Sequence, residues 1–172
     1  MDTADWLGIV RYLHVLSGIL WIGLLYYLNL VQVPSFAQME APARQQAIAR
    51  LVPRAMLYFR YAALATVSFG ILWIVIQGAD DDAYFDTNAF KSILVGGTIG
   101  ILMFLNVWAI IWPNWRKIIA ATTATLEQGT PAPPEQAGWA TLARHYSRLN
   151  VALSIPMLFF MIASGHISSL WN

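Results

Sequence analysis

Residues 11–30 read RYLHVLSGILWIGLLYYLNL, a run in which Arg11, His14, Ser17 and Asn29 are the only side chains that are not apolar or aromatic. A helix of that length spans about 30 Å, the thickness of a bilayer's hydrocarbon core. That match decides the class, and the composition agrees with it. Of 172 residues, 58% are hydrophobic and only 11% are charged, against about 25% charged in an average soluble domain. Lipid offers no partner to an open backbone, so the chain is read as an all-α membrane protein.

Three further apolar runs are long enough to span. With the first, they lie at about 6–33, 58–77, 90–112 and 149–170, giving a four-transmembrane-helix bundle and one transmembrane domain over 1–172. Pro34, Gly78 with Asp80, Asp81 and Asp82, and Pro113 are read as stops, and Pro156 as a kink inside the fourth helix. The opening Met-Asp-Thr-Ala-Asp lacks the basic n-region of a signal peptide, so the first helix is expected to be retained. The chain has no cysteine. Disulfides, thiolate metal sites and covalent haem attachment within it are therefore excluded. A formal net charge of +1 gives no argument for nucleic acid.

The few charges are placed asymmetrically. Arg44, Arg50, Arg54, Arg116, Lys117, Arg144 and Arg148 flank the first and third linkers, whereas Asp2, Asp5, Asp80, Asp81, Asp82 and Asp86 lie on the other side. The positive-inside rule then places both termini in the periplasm of a bacterium whose inner membrane holds the chain as a multi-pass protein. The polar, helix-prone segment SFAQMEAPARQQAIARLV is expected to form a short interfacial helix in the first cytoplasmic linker, and EQGTPAPPEQAG a cytoplasmic loop. Trp6, Trp112, Trp115, Trp139 and Trp171 read as interfacial belts. No convincing internal repeat is visible.

His14 and His166 fall at similar depths from the outer surface, roughly 12 Å and 7 to 8 Å down their helices. Two imidazoles facing each other across a bundle are the arrangement that ligates haem iron, and noncovalent haem b needs no cysteine. Arg11, one turn above His14, and Lys91, at the outer start of the third helix, are candidate propionate partners. Gly97, with Gly18, Gly70, Gly96, Gly100 and Gly165, would leave room for a flat macrocycle. Plainer readings stand beside these: glycines that let helices pack closely, an arginine that snorkels, histidines that hydrogen-bond a neighbouring helix. His145 is about 31 Å from His166 along one helix and cannot share its iron. It is either an interface group or, with Asn29, Asn106, Arg148 and Asn150, part of an inner polar site for a quinone or another small molecule.

Three segments, YLHVLSGILWIGLLYYLNLVQVP from Tyr12, FLNVWAIIWPNWRKI from Phe104 and RHYSRLNVALSIPMLFFMIASGH from Arg144, resemble the membrane domain of bacterial urate hydroxylases fused to a periplasmic cytochrome c, the urate oxidase N-terminal family. The resemblance covers about a third of the chain. It carries His14, Asn106, Trp108, Trp112, Pro113, Asn114, Arg144, His145 and His166 into the family pattern without assigning roles, and implies electron delivery to a cytochrome c. The chain itself has no Cys-x-x-Cys-His motif.

The leading expectation is a membrane b-type cytochrome that takes electrons from a membrane donor and passes them to a periplasmic cytochrome c, for which the acidic stretch GADDDAYFD offers a docking patch. The second is an oxidoreductase of the urate hydroxylase kind, oxidising urate or a related purine. The third is a structural or assembly subunit of a larger membrane complex or homo-oligomer. The lipid bilayer is a partner in all three.

Overall fold

The computed structural model describes residues 2–171; Met1 and Asn172, which the single-domain reading includes, lie outside the described residues. Among the described residues all regular structure is helical, and four helices are long and apolar enough to cross a membrane. The protein is an all-helical, multi-pass membrane protein.

Helix α1 (Thr3–Tyr26) starts at a reciprocal cap: Asp2 accepts from the Asp5 amide at 2.9 Å while the Asp5 carboxylate accepts from the Asp2 amide at 3.3 Å. A π-helical turn (Tyr27–Gln32) follows, then α2 (Val33–Gln38). After α3 (Ala41–Arg50), the long α4 (Val52–Asp80) returns to the starting end. A 3-10 turn (Asp82–Asp86) leads into α5 (Asn88–Asn106), whose N-cap Thr87 accepts from the Phe90 amide. A second π-helical turn (Val107–Ile111) joins α5 to α6 (Trp112–Gln128). Gly129, at φ 69°, adopts the left-handed conformation that ends α6. Finally α7 (Gln136–His166) runs back, with Pro156 inside it.

Two of the expected stops do not stop the helix. The first span continues through Pro34 to Gln38, and the third through Pro113 to Gln128. Proline lacks an amide hydrogen and its ring presses on the carbonyl one turn back. In both helices a wider π-helical turn ends immediately before the residue that precedes proline, and it absorbs that clash. The expected interfacial segment is helical, as α3. The fourth helix begins well before residue 149, because the polar turns of α7 carry no hydropathy signal.

The bundle is two antiparallel pairs, α1 on α4 and α5 on α7. Each pair is a long helix interrupted by a π-helical turn and proline, followed by an uninterrupted partner. This parallel between the halves is invisible in the sequence. We call the end where α1 starts, α7 stops and the Asp82–Asp86 turn lies the terminal end, and the end with α2 and α3 the linker end. Trp21, Leu25, Met56, Phe59, Met103, Val107 and Ile111 form the core around the π-helical turns. At Gly96 an added Cβ would lie 3.2 Å from the Met157 carbonyl and from Phe160 Cβ, so this glycine sets the close approach of α5 and α7.

Candidate functional site

His14 faces α4. Its Nδ1 lies 2.8 Å from the Thr66 carbonyl oxygen, and since a carbonyl only accepts, Nδ1 carries the proton. The second nitrogen, Nε2, is then unprotonated, the form in which an imidazole accepts a hydrogen bond or ligates a metal. The approach depends on Gly70, where a Cβ would sit 3.0 Å from His14 Cε1 and Nδ1. Gly70 thus makes room for the imidazole itself. Thr66 does not compete, because its hydroxyl donates to the Ala62 carbonyl at 2.7 Å.

Arg11 projects toward the same helix, its guanidinium 5.0 Å from the centre of the Trp73 ring. Trp73 in turn meets Tyr84 edge to face at 5.7 Å. A membrane helix keeps both an arginine and a histidine on one side here because α4 offers a partner to each. Tyr84 is buried in the 3-10 turn, packs on Phe85 and Phe90, and its hydroxyl has no hydrogen-bond partner. Burial pushes its phenol above the ordinary value of 10.0, and the nearby Arg11 charge partly offsets the rise. The unfolded chain therefore ionises first. The neutral phenol's contribution to stability is complete below pH 10.0 and is lost as the pH climbs through the raised folded value. Tyr84→Phe removes a buried hydroxyl that has no partner and should raise stability by about 1 kcal/mol at pH 8. It should also flatten the alkaline loss, measured by denaturant unfolding in detergent at several pH values.

The other residues of the proposed haem site are dispersed over the second helix pair. His166 is exposed at the last position of α7 and borders a cavity of about 180 Å³ with Asn88 and Ala89. Lys91 donates to the Asn88 side chain at 3.0 Å. An added Cβ at Gly97 would meet nothing within 4 Å, so no close helix contact requires that glycine. Trp171 donates to Ser92 at 2.7 Å, tying the C-terminal turn to α5.

At the linker end the structure divides the five candidates for the inner polar site. Asn29 donates to Ser147 at 2.7 Å, joining the first π-helical turn to α7. Asn106 donates to Asn150 Oδ1 at 2.8 Å, and Asn150, fully buried, donates to the Met103 carbonyl at 3.0 Å. His145 and Arg148 are exposed, and His145 donates back to the Thr141 carbonyl of its own helix. The asparagine pairs lie beside the two π-helical turns, irregularities that are frequent at functional sites.

Two features escaped the sequence reading. Gln32 is 2% exposed, and neither atom of its amide has a partner. It lines a cavity of about 330 Å³ together with Asn29, Phe36, Arg44, Trp115 and Arg144. Its spacing of three from Asn29 in an apolar run was the available signal. The other is Arg60, whose guanidinium lies 3.9 Å from the centre of the Trp112 ring and close to Tyr61 and Trp108. Its Nε is buried without a partner.

Four spanning helices with buried amides at the linker end and an oriented imidazole near the terminal end define a small multi-pass membrane protein built to hold polar groups within the bilayer. The chain belongs to the urate oxidase N-terminal family, whose sequence model matches residues 45–172. The match takes in α4 to α7 and most of α3, including His166, Arg144 and Asn150; α1, with His14 and Arg11, lies before it. Among curated proteins and solved structures, no match to the chain was found.

Proposed function

We propose that the chain is a membrane oxidoreductase of the urate hydroxylase kind, oxidising urate or a related oxopurine and delivering the electrons to a noncovalent haem b ligated by His14 and His166. The observation that carries the reading is the His14 imidazole, held through Nδ1 on the Thr66 carbonyl with Nε2 left for iron, in a chain of the urate oxidase N-terminal family. Haem, when bound, supplies a one-electron acceptor. Hydroxylation of a purine ring by water releases two electrons and two protons, so such an acceptor must be emptied between steps. A cytochrome c suits that role, with the exposed Asp80, Asp81, Asp82 and Asp86 as its docking patch.

The test is spectroscopic. Protein purified from haem-replete cells should show a b-type difference spectrum, and anaerobic urate should reduce the haem. A colourless folded preparation would overturn the haem assignment. Haem that dithionite reduces and urate does not would leave the electron-transfer cytochrome, a reading that rests on the same His14 geometry and needs no purine.

The same proposal sets the topology. Eight of the ten basic residues, Arg60 included, lie toward the linker end and six of the nine acidic residues at the terminal end, so the linker end should face the cytoplasm. A reporter active only in the periplasm should work when inserted at Ala83 and fail at Gly129. The reverse result would invert the protein and move the cytochrome c partner to the wrong side.

A further inference from the structure

The cavity at the linker end has a chemistry that the haem reading does not use. Gln32 stands at its wall with an unpaired amide nitrogen and an unpaired amide oxygen. Leaving such a group buried without partners is costly, and a primary amide presents a donor and an acceptor side by side in one plane. Its complement is another planar edge with N–H beside C=O, the edge of a lactam. Arg44 from α3 and Arg144 from α7, both exposed, line the same cavity, and among the described residues no acidic side chain does. The cavity mouth is therefore basic and favours an anion. Trp115 and Phe36 add flat apolar walls. At about 330 Å³ the space lies at the low end of ligand pockets. It suits one or two fused rings rather than an acyl chain.

We propose that this cavity captures a small planar anionic lactam heterocycle, of which the urate monoanion is an instance, with Gln32 reading the lactam edge and Arg44 and Arg144 holding the charge. The choice of a purine rests on the function proposed above; the anion and lactam selectivity rest on the cavity alone. Gln32 lies eighteen residues beyond His14 on one continuous helix, roughly 27 Å along its axis. Capture and electron acceptance are thus separate places, with Tyr26 and the buried Trp21 in the interval.

Equilibrium dialysis of radiolabelled urate against the full chain in nanodiscs of neutral lipid tests this. One saturable site per chain is expected. Gln32→Leu should weaken it about tenfold, the equivalent of one lost buried pairing, and Arg144→Gln should weaken it severalfold and reduce its salt dependence. Gln32→Glu, which keeps the side-chain shape but repels the anion, should abolish binding while its helical circular dichroism stays unchanged. Protein from haem-deficient cells should bind urate as tightly as haem-replete protein, so failure of the haem assignment leaves this result standing. Absence of saturable binding, or binding indifferent to Gln32 and Arg144 replacement, would overturn the proposal. So would full displacement by phosphatidylglycerol nanodiscs or inorganic phosphate with no effect of Gln32→Leu, which would make the two arginines a phosphate site.

Discussion

On the proposed haem assignment, His14→Ala is expected to remove the low-spin b-type absorption altogether, whereas His145→Ala leaves it unchanged. His14 and His166 would together hold a low-spin haem, so deleting one imidazole would change its spin state even where some haem stayed associated. The fold should survive. His14 gives up one hydrogen bond to the Thr66 carbonyl, an interaction worth about 0.6 kcal/mol on average between membrane helices. His145 is exposed and bonded only to its own helix, which makes its replacement the proper control. Gly70→Ala should give an intermediate result, because the added methyl would press within 3.0 Å of the imidazole and turn Nε2 away from its position. A full low-spin spectrum in the His14→Ala protein would show that this imidazole serves only to join α1 to α4. Loss on His145→Ala alone would place haem at the linker end.

The four spans were legible because hydropathy over a bilayer's width is a strong signal, and the three inner asparagines were legible because amides are rare in apolar runs. What hydropathy cannot carry is rotation about a helix axis. On α7, successive residues turn by about 100°; Ser147, Asn150 and Ser154 therefore share the buried face, while His145 and Arg148 point away from it. Sequence proximity had grouped Asn150 with His145 and Arg148. Pro34 and Pro113 read as stops because the rule assumes an α-helical register, and the π-helical turn that accommodates each is a property of packing between α1, α5 and α7. Gln32 was missed because an amide near the end of a span reads as solvated. Arg60 was missed because two of its three aromatic partners, Trp108 and Trp112, come from a different part of the chain. The positioning of His14 was half legible: Arg11 and His14 share a face by spacing, but the Thr66 carbonyl and the space at Gly70 have no sequence signature.

Asn150→Ala should be the most destabilising single change at the linker end. Its side chain is fully buried, accepts from Asn106 and donates to the Met103 carbonyl, so truncation removes two hydrogen bonds, strands the Asn106 amide and opens a small void beside the second π-helical turn. Individual hydrogen bonds in membrane bundles contribute little, yet a buried polar group left unpaired costs about 1–3 kcal/mol, and no water is available there to replace the partner. A loss of about 2 kcal/mol is expected in a reversible denaturant titration in detergent, with the void adding to the stranded amide. Asn106→Ala should cost less, since Asn150 keeps its bond to Met103. In the double mutant the stranded-partner penalty is absent, so the two losses should fall short of additivity by about 0.6 kcal/mol, the average coupling of polar pairs between membrane helices, and by no more than about 1.7 kcal/mol. Strict additivity would mean that the two asparagines act independently, and that the π-helical turn is held by the apolar contacts of Val107 and Ile111 alone.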